Sequence, residues 1–224
     1  MVELEQIGKR FADGAQILSE VSLRLEPGGF YFLTGASGTG KTTLLQIICL
    51  AQPPSHGRLT LFGTDTAGLD RPARAALRRR MGIVFQDFRL IDEMSAGDNV
   101  ALPLRVTGAT PRQIRDNVPE LLAWVGLAER GEAPAATLSG GERQRLAIAR
   151  AVVRRPELLL ADEPAGNVDD DVALGLMRVF ERINQLGTTV LIATHDLAFA
   201  RRFGHQHFHL DRRELLDAGG APVP

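Results

Sequence analysis

The sequence is poor in several features that would have narrowed its class at once. It has one cysteine, Cys49, in 224 residues, so no intrachain disulfide framework can form and a reducing compartment suits the chain. It has no basic excess: the net charge is −1 with 26 basic and 27 acidic residues, whereas a bulk nucleic-acid binder carries a marked positive field. No apolar run approaches the length of a membrane span; the longest, such as "TVLIAT" (residues 189–194), are strand-sized. The start "MVELEQIGKRF" lacks the apolar stretch of a secretory leader. Internal repeats and low-complexity tracts are absent, and only the tail "DAGGAPVP" reads as loose. Lysine is the scarcest charge. Every basic residue except Lys9 and Lys41 is arginine, so a lysine at position 41 asks for a reason.

What remains is a folded chain of 44% apolar and 24% charged residues, long enough for one well-buried domain or a domain with an insert. The reason for Lys41 lies in its surroundings. "FYFLTGASGTGKTTLLQII" runs from an apolar strand (Phe30–Leu33) through a glycine-rich turn into a helix, and the turn fits G-x-x-x-x-G-K-[ST]. Glycines at 35, 38 and 40, with Ala36, Ser37 and Thr39 between them, let successive amides face inward on an anion, and the helix start adds its dipole. Lys41 supplies a compact charge for phosphate oxygens, a task that the broad guanidinium of arginine fits poorly. Thr42 offers a hydroxyl to Mg²⁺, with Thr43 next to it.

Further strand ends carry candidate polar groups. "ELLLADEP" closes an apolar run in Asp162 and Glu163. Continuous apolar runs are the mark of buried parallel strands, whose carboxyl ends face ligands in open α/β sheets. Asp162 suits a Mg²⁺ ligand, while Glu163, where the chain turns, suits a base that polarises water, worth about 10²–10⁴-fold in rate. "TTVLIATHD" ends in His195 as a γ-phosphate contact. "MGIVFQD" closes in Gln86, placed to ligate Mg²⁺ or orient water.

"TLSGGERQRLAIARA" begins as a capped helix, with Ser139 and Glu142 at capping-box spacing. Yet Gly140 and Gly141 fill its first turn, at up to ~1 kcal/mol each relative to alanine. A helix that needed only a cap has no use for them.

Taken in order, "GASGTGKT", Gln86, "LSGGE", "LLLADEP", "GNVD" and His195 resemble the motif series of ABC-type ATPase subunits over almost the whole chain. The resemblance implies an α/β P-loop fold: a RecA-like core with an antiparallel β-subdomain (residues 1–89 and 156–224) and an inserted helical subdomain (90–155). "TPRQIRDNVPELLAWVGL" would supply one helix of the insert. It implies ATP and Mg²⁺ as ligands, with Phe11 in the place where the family stacks an aromatic ring on adenine. It implies a head-to-tail homodimer in which Ser139, Gly140, Gly141 and Glu142 meet the nucleotide of the other copy. Asp169 would lie in the loop crossing between the sites.

Within the family the chain looks most like the cell-division ATPase FtsE, through "FQDFRLIDEMSAGDNVALPLRVTGAT" and the aspartate run after Val168. That implies an integral membrane partner resembling FtsX, a peripheral place on the cytoplasmic face of the bacterial inner membrane, and a role in regulating cell-wall hydrolases. ATPases of lipoprotein-releasing and macrolide exporters share much of the pattern and remain an alternative. Chromosome-maintenance and DNA-repair relatives would need long coiled coils, which the sequence lacks. An ATP switch that dimerises on ATP and rarely turns over is a third reading.

By the same resemblance the membrane partner would dock near residues 87–99, where Phe88, Leu90, Ile91 and Met94 either anchor it or pack the insert onto the core. Cys49 and Trp124 read as core. His205, His207 and His209 alternate on one strand face, and the arginines of "RPARAALRRR" read as a solvated helix face.

Overall fold

The computed structural model describes residues 1–166 and 168–216. Asn167 of "GNVD" and the tail 217–224 lie outside the described residues. The chain opens with a hairpin of β1 (Val2–Arg10) and β2 (Gln16–Leu25). Next come β3 (Phe30–Thr34), α1 (Lys41–Ile48), β4 (His56–Leu61), β5 (Thr64–Asp65), α2 (Arg71–Arg78) and β6 (Met81–Val84). Three helices follow: α3 (Ala96–Val106), α4 (Pro111–Trp124) and α5 (Gly140–Val152). The chain then runs through β7 (Leu158–Asp162), α6 (Asp170–Gln185), β8 (Thr189–Thr194), α7 (Leu197–Arg201), β9 (Gln206–Asp211) and β10 (Glu214–Leu216).

Two sheets result. The smaller is antiparallel, in the order β2-β1-β4-β5. The larger runs β10-β9-β3-β8-β7-β6, parallel except for β10. Its register fixes the site: Thr34 pairs with Thr194, Asp162 with Ala193, and Val84 with Ala161. Four adjacent strands therefore end at one level, and each hands its loop to the same edge.

The continuous apolar runs follow from burial on both faces of the larger sheet. Tyr31, Leu33, Leu160 and Leu191 point to one side, where α1 and the antiparallel sheet cover them. Phe30, Phe32, Leu159 and Ile192 point to the other, against Phe180 and Met177 of α6. A third cluster joins α3, α4 and α5 through Val100, Leu122, Leu138 and Leu146. Helix α5 belongs to two clusters at once: Ala147, Ile148 and Val152 face the sheet, while Leu146 and Ala149 face the other helices.

The helix boundaries have local causes. Thr110 and Gln113 form a reciprocal capping box at α4, and Ser139 and Glu142 form another at α5. Cys49 is buried as expected. Trp124 is not: it is 39% exposed. The buried side of α4 is marked by Val118 and Leu122, with Val125 just beyond, and at 100° per residue Trp124 points away from that line. His205 and His207 share one face, stacked on Phe30 and Phe32 at ring distances of 4.0 and 5.3 Å. His209 Nδ1 lies 3.0 Å from the Thr34 hydroxyl. In the arginine-rich stretch, Arg78 donates to Leu50 O, and Arg80 pairs with Glu157 and lies over Phe62. That stretch is therefore partly engaged with the core rather than wholly solvated.

Asn99 is fully buried and uses its amide to hold the loop before α3. Its oxygen accepts from Ile91 N at 2.9 Å, and its nitrogen donates to Ile91 O and Ser95 O, both at 3.0 Å. Asn99→Ala strands these backbone groups and is expected to cost about 2–3 kcal/mol. The measurement is a lowered urea midpoint with unchanged m.

Candidate functional site

The loop after β3 enters α1 through two glycines at positive φ. Gly38 has φ 81°. Gly40, at φ 109°, would press a Cβ to within 2.9 Å of Ile17 Cγ2. L-residues avoid this backbone region, so glycine is required for the turn itself. Lys41 then sits at the first helical position and is only 5% exposed. Its ammonium donates to Gly35 O at 2.8 Å and Ala36 O at 3.1 Å, and lies 3.6 Å from Glu163 Oε1. The loop thus supplies carbonyl partners to a buried cation that would otherwise be badly desolvated.

A cleft of about 420 Å³ opens over this loop. It brings together Phe11, Ser37, Gly38, Gly40, Lys41, Thr42, Thr43, Gln86, Glu163 and His195, from the ends of five strands and the first turn of α1. Phe11, 42% exposed, forms one end, with the Lys9 ammonium 5.6 Å from its ring centre. Two further residues line it, and one of them, Gly166, opens the "GNVD" motif. Ile17 belongs to β2, distant in sequence, and only the packing of β2 against Gly40 brings it in. Gly166 closes a turn on Glu163 O.

The strand ends lie slightly short of where the sequence suggests. β6 stops at Val84, so Gln86 is two residues into the following loop. β8 stops at Thr194, immediately before His195. β7 includes Asp162, and Glu163 departs from it with φ 48°. A left-handed glutamate costs on the order of 1–3 kcal/mol, and the kink separates two neighbouring carboxylates. Glu163 lines the cleft over the glycine-rich loop. Asp162 lines an adjoining one with Asp87 and Cys49, and Thr42 and Gln86 border both.

Asp162 is 7% exposed and its Oδ1 has no hydrogen-bond partner. Burial pushes its carboxyl above the ordinary range, against the Thr42 hydroxyl beside it. His195 Nδ1 lies 3.0 Å from Glu163 Oε2, an oxygen that receives no hydrogen bond. A buried, underpaired carboxylate beside a hydroxyl and an amide is a set of hard oxygen donors, and that set fits Mg²⁺. No group of three or more His, Cys, Asp or Glu suited to a metal occurs among the described residues. Mg²⁺ needs none, because it commonly takes one or two protein ligands plus water and phosphate oxygens.

Gly35, Ala36 and Thr39 shape the loop without lining the cleft: the first two hold Lys41 through their carbonyls, and the Thr39 hydroxyl donates to Ala36 O at 2.9 Å. The remaining candidates stand elsewhere. Ser139, Gly140, Gly141, Glu142 and Asp169 are not among the residues lining the cleft. Ser139 Oγ accepts from Glu142 N at 3.3 Å, and Glu142 Oε2 accepts from Ser139 N at 2.8 Å. These bonds hold the Glu142 carboxyl below its usual range, and its other oxygen faces Arg130 at 3.3 Å. Asp169 caps α6 through Val172 N at 2.9 Å. A Cβ on Gly141 would make ordinary contact with Val172 at 3.6 Å, so the starts of α5 and α6 are neighbours. A Cβ on Gly140 would meet nothing within 4 Å, and neither glycine has a positive φ. Among the described residues, no backbone dihedral or close contact requires either glycine.

Because the raised carboxyl of Asp162 opposes folding as pH climbs from the unfolded toward the folded value, removing its charge relieves the nucleotide-free protein. Asp162→Asn is expected to raise the melting temperature at neutral pH without nucleotide. An unchanged or lower value would show that the carboxylate is not penalised there.

Comparison with known proteins places this geometry. Residues 18–166 match the family model described as "ABC transporter". The chain is 44% identical over 215 residues to the cell division ATP-binding protein FtsE of Escherichia coli K12, covering 96% of this chain and 97% of that one. It is 42% identical over 219 residues to the lipoprotein-releasing system ATP-binding protein LolD of Bordetella pertussis, covering 96% and 94%. The dimeric, post-hydrolysis structure of the ATP-binding cassette MJ0796, bound to ADP and Pi, superposes with a TM-score of 0.88. That match is 33% identical and covers 95% of each chain. The chain belongs to the ABC transporter family, as one of its ATP-hydrolysing cassettes.

Proposed function

We propose that this chain is the ATPase subunit of an FtsE-like complex. It would hydrolyse ATP as a head-to-tail homodimer on the cytoplasmic face of the inner membrane, driving an FtsX-like membrane protein that regulates cell-wall hydrolases. One observation carries the reading: Phe11, the glycine-rich loop, Gln86, Glu163 and His195 share one cleft, while Gly140 and Gly141, in the first turn of α5, stand outside it with no contact among the described residues that requires a glycine. A second copy is the economical occupant of that turn, and the dimeric state of the MJ0796 cassette supports it. No helix among the described residues is long and apolar enough to cross a membrane, so a separate membrane partner fits. Similarity to LolD supports a second reading, the ATPase of a lipoprotein-releasing exporter. Residues 90–155 serve as an inserted helical unit on a core of 1–89 and 156–224.

The chemistry follows from the residues in the cleft. Phe11 stacks on the adenine, and amides from Gly35 to Thr43 receive the phosphates. Lys41 exchanges the carbonyls of Gly35 and Ala36 for β- and γ-phosphate oxygens. Glu163 then accepts a proton from the attacking water, with His195 contacting the γ-phosphate. Thr42, Asp162 and Gln86 would hold Mg²⁺, which supplies positive charge to the phosphate oxygens. Ser139, Gly140 and Gly141 of the other copy close the γ-phosphate from the opposite side, with Glu142 fixing their turn and Asp169 bordering it. Positive dipole ends thus face the phosphates from both chains.

Glu163→Gln is expected to bind ATP, lose at least about 10²-fold in turnover and elute as a dimer in ATP by size-exclusion chromatography. A monomer that hydrolyses normally removes Glu163 as the base. Ser139→Arg is expected to abolish turnover while the monomer keeps its ATP affinity; equal loss of both sinks the two-chain site. Affinity purification from membranes should bring down an FtsX-like protein. Recovery of a lipoprotein-releasing permease in its place decides for the second reading.

A further inference from the structure

The segment leaving the sheet after β6 is held mainly by side chains from the helices. Asn99 of α3 binds Ile91 and Ser95, and Arg143 of α5 pairs with Asp92 at 2.7 Å and donates to Ala135 O at 2.8 Å. Nearest to Gln86 stands Arg150, in the last turn of α5. Its Nη2 donates to Phe88 O at 2.6 Å and its Nη1 donates to Arg89 O. Phe88 and Arg89 have φ values of 58° and 49°, two successive bulky residues in the left-handed region. Such a pair persists only where its surroundings hold it, and one planar guanidinium taking both carbonyls is a sufficient hold.

Upstream, Phe88 N donates to Phe85 O at 3.1 Å, closing a turn around Gln86 and Asp87. Arg89 reinforces the turn by pairing with Asp87 at 3.2 Å and lying 3.9 Å over the Phe85 ring. The place of Gln86 is therefore set by a turn whose exit is pinned to α5. Burial draws the Arg150 guanidinium below its ordinary value while the Asp87 carboxylate pulls the other way. The charge is retained in a partly dry position because the carbonyls repay it. A lysine would bring a point charge where the carbonyl pair needs two N–H groups in a fixed fork.

We propose that Arg150 is a positioning residue for ATP hydrolysis. By gripping the carbonyls of Phe88 and Arg89 it fixes Gln86 at the nucleotide cleft. Because the same helix begins at Ser139, it also ties that placement to the turn this chain presents to its twin. Over eleven residues of helix the two ends lie ~16 Å apart on one rigid rod. Arg150 touches neither nucleotide nor water; it acts through Gln86. The inference rests on the reading of Gln86 as a metal- and water-orienting group.

The test is steady-state hydrolysis and equilibrium ATP binding by the full chain carrying Arg150→Lys, Arg150→Ala or Gln86→Ala. Both Arg150 variants are expected to lose about tenfold in kcat, with KM and ATP affinity within about twofold of wild type. Millimolar ethylguanidinium should restore part of the turnover of Arg150→Ala and none of that of Gln86→Ala. Arg150→Lys, which keeps the charge, decides the matter if the alanine variant does not fold. Arg150 variants with wild-type kcat beside a slowed Gln86→Ala overturn the role of Arg150 alone. A Gln86→Ala variant with full activity removes the Gln86 reading beneath it. A fall in affinity and melting temperature without ethylguanidinium rescue makes Arg150 a packing residue and overturns the proposal.

Discussion

The register of the parallel sheet is the constraint on which everything else depends. Thr34 is level with Thr194, Ala193 with Asp162, and Ala161 with Val84. A parallel ladder cannot slip by one residue without exchanging its two buried faces, and both faces here are apolar and covered. The hydrophobic cores therefore fix the relative heights of the glycine-rich loop, Glu163, His195 and Gln86. No direct bond between those elements is needed to align them. Catalytic placement is inherited from packing.

Several features are unfavourable for a lone, nucleotide-free chain. Glu163 is held in a left-handed conformation, Asp162 is buried with an unpartnered oxygen, and two glycines weaken the start of a helix that is already well capped. Under the proposed function, each cost falls on a residue whose partner would arrive from outside: Mg²⁺, an attacking water, or the nucleotide held by another copy. Stability is given up where chemistry is to be done, as expected when strain and underpaired groups collect at functional sites.

Much of this was legible in the sequence because it depends on local chemistry. A strand, a glycine turn and a lysine before Thr42 define an anion site with few alternatives. Apolar runs ending in acids or histidine mark the carboxyl ends of buried strands. The capping boxes at Thr110 and Ser139 follow from hydroxyl and carboxamide or carboxylate spacing alone. Less legible were contacts across long separations. Ile17 enters the cleft through the packing of β2, and Arg150 reaches Phe88 across 62 positions. Trp124 reads as core in the sequence, whereas its angle on α4 decides its exposure. The divergence of Asp162 and Glu163 into separate clefts depends on a single backbone dihedral that no residue type dictates.

The glycine-rich turn before Lys41, the buried strands and the Ser139 helix cap can be read from neighbouring residues, since each rests on interactions within a short stretch. Packing between distant segments settles which strand ends meet, that Lys41 lies against Glu163, and that Gly140 faces open space while Gly141 lies beside Val172. Those outcomes depend on the register of a sheet assembled from distant segments, and register is a property of the packed whole.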